Sequence, residues 1–306
     1  MLVFMLNSVY LSYIKSLDMT VAERIDLSRF LKTGEGANGS SYDSLDDPDI
    51  MVKIYNADYP TDTIFSELEV ARKVYSIGIP SPEPGVIVTD GDRLGIKFRR
   101  IAGKRSFSRA IADEPERIGE YAREFAAYCR RLHEVECPPG MFPDARTQFL
   151  NLLDASRTFD ASQKKVMADF LKSVPEAGTA LHGDMHIGNV LTTLPCGAPM
   201  DQPHDVYFID LGYFSCGYPL FDLGMMMSIC LISDEEFRFE NFHITGEQTA
   251  KAWEYFVDEY FQGTKTVSQA NALVAPFAAV KMLLVEYNLG FMPPHYTKFV
   301  KECFGF

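Results

Sequence analysis

Two short runs of this chain concentrate groups that can do chemistry. One is Leu181-His182-Gly183-Asp184-Met185-His186-Ile187-Gly188-Asn189-Val190, and the other is Tyr207-Phe208-Ile209-Asp210-Leu211-Gly212. Asp184 and Asn189 stand five residues apart on a loop that leads into a strand-like segment. Asp210 ends the next strand-like segment, so an intervening hairpin brings it back alongside. Phosphoryl transfer needs a carboxylate beside the attacking hydroxyl and oxygen ligands for the Mg²⁺ that clamps the phosphates. Asp184 suits the first need, Asn189 and Asp210 the second.

Three features upstream suit the same chemistry. Gly34-Glu35-Gly36-Ala37-Asn38-Gly39 is a G-x-G-x-x-G run. A dinucleotide fold requires a helix directly after such a run. Here Ser40-Ser41-Tyr42 and the turn cluster Asp46-Asp47-Pro48-Asp49 indicate a hairpin instead, so Gly34, Gly36 and Gly39 read as a loop over nucleotide phosphates. Lys53 follows on the alternating strand Ile50–Tyr55 and reads as the phosphate-binding lysine. It needs a carboxylate on the next helix, and Glu67 and Glu69 compete for that place. On a helical wheel that starts at Ile64, the apolar face of Ile64, Leu68, Ala71 and Tyr75 spans roughly −20° to +40°. Glu67 falls at about −60°, on the border of that face, and Glu69 at about 140°, toward solvent. The geometry selects Glu67.

The elements that must hold these groups fall into two regions. Residues 27–101 read as strands with one helix over Thr63–Ile77, stopped by Gly78 and Pro80. Val86–Val88 and Leu94–Phe98 flank Asp90-Gly91 as a hairpin. After Gly103 helices dominate, at about Pro115–Val135, Ser162–Ser173, Asp222–Leu231, Gly246–Phe261 and Val267–Tyr287. Strand-like pieces at Asn189–Thr192 and Val206–Ile209 interrupt them. The expected organisation is an N-terminal extension over 1–18, an N-lobe over 19–102 and a helical C-lobe over 103–306.

The paired H-G-D-x-H-x-G-N and I-D-x-G patterns, preceded in order by the glycine run, Lys53 and Glu67, resemble the aminoglycoside phosphotransferase and choline kinase-like families. The resemblance covers about Arg29 to Tyr260. It implies the α+β, bilobal protein-kinase-like fold, with a small β-rich N-lobe and a larger helical C-lobe. It also implies ATP and Mg²⁺ as cofactors, with the γ-phosphoryl group passing to a hydroxyl of a small aminoglycoside-, choline- or sugar-like molecule. Asp184 is then the catalytic base, and Asn189 and Asp210 are the metal ligands. Adenine is expected against Phe98, Arg99, Arg100 and Ile101. His182 becomes a structural part of the loop, and Asp222 the buried helix-start aspartate that braces it. The chain departs from protein kinases, having H-G-D in place of H-R-D and no A-P-E, which disfavours a protein acceptor. Asp184 to Asp210 spans 26 positions, with the excess in Leu194–Asp205 as an enlarged turn. A regulator that binds nucleotide without turning it over is the alternative reading.

Bulk properties narrow the field. The chain has 306 residues, a formal net charge of −13 and a pI near 4.9. That balance argues against nucleic acid and anionic membranes, and it suits a cationic acceptor without requiring one. The absence of a G-x-x-x-x-G-K-[ST] run argues against a P-loop enzyme. His133 reads as a helix-end packing or capping residue, and the acids Asp234, Glu235, Glu236 and Glu240 as a solvated face that could instead bind an amine. Six irregularly spaced cysteines without a C-x-x-C pair point to free thiols and a cytoplasmic location. No obligate protein partner is evident. Residues 1–18 lack a basic n-region and make a poor signal peptide.

Overall fold

The computed structural model describes residues 22–36 and 38–306, so the expected extension over 1–18 and Ala37 of the glycine run lie outside the described residues. The chain divides into two compact units after Ala102.

The first unit is built on a six-stranded sheet. Its strands are β1 (Glu23–Arg24), β2 (Phe30–Gly36), β3 (Gly39–Ser44), β4 (Ile50–Tyr55), β5 (Pro84–Thr89) and β6 (Leu94–Arg99), in the spatial order β1-β5-β6-β4-β3-β2. Helix α1 (Thr61–Ser76) connects β4 to β5. Side chains alternate across a strand, and β4 has apolar packing on both faces. Val52 and Ile54 pack with Val88, while Tyr55 packs with Ile64 and Leu68 of α1. Lys53 shares the face of Tyr55 and therefore points toward α1. The buried residues of α1 are Ile64, Glu67, Leu68, Ala71 and Val74. Tyr75, expected on the inward face, is 45% exposed. The buried arc runs from about −80° at Val74 to +40° at Leu68 on the same wheel, and Tyr75, at about +20°, lies within that arc yet is exposed in the last turn of the helix.

The second unit carries α2 (Phe107–Asp113), α3 (Ile118–Leu132), α4 (Ala145–Ala155), α5 (Ala161–Ser173), α6 (Leu220–Met227), α7 (Glu235–Phe242), α8 (Gly246–Tyr260), α9 (Val267–Leu289) and α10 (Pro294–Phe304). A three-stranded sheet joins β7 (Arg105–Ser106), β9 (Val190–Thr192) and β10 (Val206–Phe208). A two-stranded ladder pairs β8 (Thr179–Leu181) with β11 (Ser215–Gly217). The core is aromatic: Phe107, Tyr121, Phe125, Trp253 and Phe256 are fully buried. By length and composition α9 could span a bilayer. Within this unit it buries Lys281 and Glu286, and both bind loops of the same unit: Lys281 the Gly183 carbonyl, and Glu286 the 156–158 turn.

The expectation of six free thiols is corrected at one pair, because Cys137 and Cys216 form a disulfide. They lie 79 residues apart in sequence. The β8–β11 ladder and a bond from the Cys137 N–H to the Gly178 carbonyl bring their Cα atoms to 6.2 Å.

Candidate active site

In the first unit, Lys53 Nζ stands 2.8 Å from Glu67 Oε1, with side-chain exposures of 19% and 8%. Glu69 pairs instead with Lys73 on the outer surface of α1. Gly34 and Gly36 are exposed at the end of β2, and Gly39 opens β3. A Cβ at Gly39 would stand 2.3 Å from the Ile54 carbonyl oxygen, so the close approach of β3 to β4 requires glycine there. Phe98 is half-buried against the Tyr55–Ile64 cluster, and Ile101 is buried. Arg99 is exposed, 3.7 Å from Glu83. The Arg100 guanidinium is engaged by Asp43 and the Pro48 carbonyl of its own unit.

In the second unit, β8 feeds directly into the 182–189 loop, and the loop ends in β9. β9 pairs antiparallel with β10, and the Ile209 N–H donates to the Asn189 carbonyl at 3.0 Å. Asp210 thus follows the residue bonded to Asn189, as the hairpin argument requires. Asp210 has φ 59° and ψ 56°. A non-glycine residue in the left-handed region carries about 1–3 kcal/mol of strain, which is typical of positions where a side chain must be aimed.

Asp184 is fixed from several sides. Its carboxylate Oδ2 accepts from Asn189 Nδ2 at 3.0 Å, and His186 Nε2 approaches the same oxygen at 3.6 Å. The side chain is nevertheless 26% exposed. Burial opposes ionisation, but His186 above all, then His182 and Lys281, outweigh it and hold the carboxyl well below the usual carboxylate range. His182 Nε2 faces the Ile209 carbonyl at 2.9 Å and must carry a proton, while Nδ1 accepts the Asp184 N–H at 3.3 Å. The ring is therefore the neutral tautomer, and burial lowers its pKa in the same sense.

Asp222, fully buried in the first turn of α6, braces the loop as the resemblance implies. Its carboxylate accepts the His182 N–H at 2.7 Å, the Gly183 N–H at 2.8 Å and His133 Nε2 at 3.1 Å. His133 stands at the C-terminal cap of α3, as its helix-end position suggested, and is also the buried partner of Asp222. Burial works against ionisation of Asp222, and the bond from His133 outweighs it. Sequence reasoning missed Lys281, whose Nζ donates to the Gly183 carbonyl at 2.6 Å.

Asn189 engages Asp184 through Nδ2, which leaves Oδ1 as the atom that could bind a metal. That oxygen and the Asp210 carboxylate are hard-oxygen groups of the kind that could hold Mg²⁺, with waters and substrate phosphates as its other ligands. Among the described residues, no group of three or more His, Cys, Asp or Glu forms a self-sufficient metal site. Of the four acids near α7, Asp234 caps the helix through the Phe237 N–H. A surface pocket of about 560 Å³ lined by Arg146, Glu176, Gly217 and Tyr218 among others shares no residue with the 182–189 loop.

The family described as the phosphotransferase enzyme family (APH) matches residues 33–255, well over half of the chain. No curated protein sequence matches. Among solved structures the chain is similar to an aminoglycoside-3'-phosphotransferase of type VIII, at 19% identity and TM-score 0.53, covering 84% of this chain and 93% of that one. It is similar to aminoglycoside phosphotransferase APH(3'')-Id from Streptomyces rimosus in complex with ADP and streptomycin, at 15% identity and TM-score 0.52, covering 90% and 98%. It is also similar to a microcompartment-associated aminopropanol kinase, at 15% identity and TM-score 0.50, covering 96% and 94%. At these identities the likeness is one of fold, the kinase-like fold anticipated from the motifs. Together with the match over 33–255, it makes this chain a member of the APH phosphotransferase family.

Proposed function

We propose that the protein transfers the γ-phosphoryl group of Mg·ATP to a hydroxyl of a small, amine-bearing molecule. The observation that carries this reading is the state of Asp184. Its carboxylate is anchored at one oxygen by Asn189, is still partly open to solvent, and is favoured in the ionised form by His186 beside it. Such a group can accept the proton of an alcohol as it attacks. Asn189 and Asp210 would hold Mg²⁺, which neutralises charge on the phosphates when bound. Lys53, oriented by Glu67, would position those phosphates. Two things favour an amine on the acceptor: the net charge of −13, and the streptomycin and aminopropanol named for two neighbours of the same fold.

A screen of hydroxylated amines for acceptor-dependent ADP release tests this, with Asp184→Asn as the blank. Release that persists at the wild-type rate in Asp184→Asn would remove Asp184 as the base. Mg-dependent ATP binding in a thermal-shift assay, without transfer to any acceptor, would favour the regulatory alternative.

A further inference from the structure

Lys281 lies in the middle of α9, 2% exposed, with its ammonium 5.1 Å from the Phe149 ring centroid. A buried lysine is expensive, and an apolar side chain of similar volume commonly leaves a fold as stable or more so. What Lys281 reaches is the peptide between Gly183 and Asp184. Its Nζ donates to the oxygen of that peptide at 2.6 Å, and the N–H of the same peptide donates to His182 Nδ1. The preceding peptide is held by its N–H on Asp222 Oδ1. Gly183 itself has φ +83°, and a glycine backbone has no side chain to hold it there, so the peptide depends on its bonds. The orientation of the Asp184 Cα, and so the aim of its carboxylate, hangs on these bonds. Burial lowers the Lys281 pKa, while Asp222 and Asp184 pull it back up, so the charges of the loop and the helix support each other.

We propose that Lys281 is a positioning residue for phosphoryl transfer: through the Gly183 carbonyl it fixes the peptide that aims Asp184. This rests on Asp184 being the base, as proposed above.

The test compares Lys281→Met and Lys281→Arg with the wild type by hydrogen exchange and by kinetics. In Lys281→Met, amides 182–186 should exchange at least about tenfold faster while those of α3 stay unchanged. Its kcat should fall about a hundredfold, with the KM for ATP within about threefold, as expected when a reacting group is misplaced by a distant change. Lys281→Arg keeps a cationic donor and should exceed Lys281→Met in both readouts. Wild-type loop protection and kcat in Lys281→Met would overturn the proposal. So would uniform loss of protection across the second unit, or failure of both variants to fold, since either makes Lys281 merely structural. A wild-type enzyme that turns over no acceptor would sink the transferase reading instead, and the exchange comparison would then judge Lys281 alone.

Discussion

Two carboxylates of the second unit, Glu114 and Asp184, are both driven to the ionised form, yet they are finished differently. Glu114 accepts from Arg105, from Arg117 at 2.7 Å, from the Tyr121 hydroxyl at 2.6 Å and from the Gly197 N–H at 2.9 Å. Four donors saturate a carboxylate. The result is a rivet between β7, α3 and the enlarged hairpin that carries Gly197. Asp184 is held by its backbone and by Asn189 at one oxygen, and its side chain keeps an open side. Saturation makes a carboxylate a structural element. Leaving it partly unsatisfied while fixing its frame makes it a reactive one.

The contrast can be broken most sharply at Asp184. Asp184→Asn should lower acceptor-dependent ADP release by about 10³-fold, with little change in Tm. Glu114→Ala should do the reverse. It removes the buried carboxylate shared by Arg105, Arg117 and the Tyr121 hydroxyl and should lower unfolding free energy by about 3 kcal/mol in denaturant titrations, with kcat per folded molecule unchanged. A smaller effect separates the two glutamates of α1: Glu67→Gln should cut turnover about tenfold by loosening Lys53, and Glu69→Gln should leave it within about twofold.

Acid gives the gentlest reading. His182 has a lowered pKa, so its stabilisation is complete above its unfolded value of about 6.5 and is lost below it. Glu114 and Asp222 are held below their ordinary values: burial opposes this, and the donors around each outweigh it. Their contributions are complete above about 4.3 and 3.9 and drain away as pH falls further. Denaturant midpoints should therefore decline below about pH 6.5 and steepen below about pH 4, with a shallower acid limb in Glu114→Gln.

What the sequence revealed follows from the range of the contacts involved. Glu67 was legible because a helix repeats every 3.6 residues and Lys53 lies one connection away. Asp184, Asn189 and Asp210 were legible because a hairpin converts spacing into proximity. Tyr75 was misplaced because a wheel gives direction and not depth: at about +20° it lies on the buried arc, but it stands in the last turn of the helix, beside the terminal Ser76. Helix α4 left a signal that went unread: the Asp144 cap on Thr147 and the buried i,i+4 pair Phe149 and Leu153. Lys281 and Cys137 gave no local signal. Their partners lie 98 and 79 residues away, and a lysine in an apolar helix looks no different from one that faces water.

One contact at the loop has a consequence for anyone who would move this site to another scaffold. A Cβ on Gly183 would stand 2.0 Å from the carbonyl oxygen of Tyr213, three positions beyond Asp210. The first signature run and the residue that directly follows the second are therefore cut to each other like halves of a joint. The hairpin between them is anchored at Glu114, away from the joint, so its length can drift while the joint keeps its fit. The smallest portable unit is the whole span from β8 to β11, carried together with the helices that supply Asp222 and Lys281.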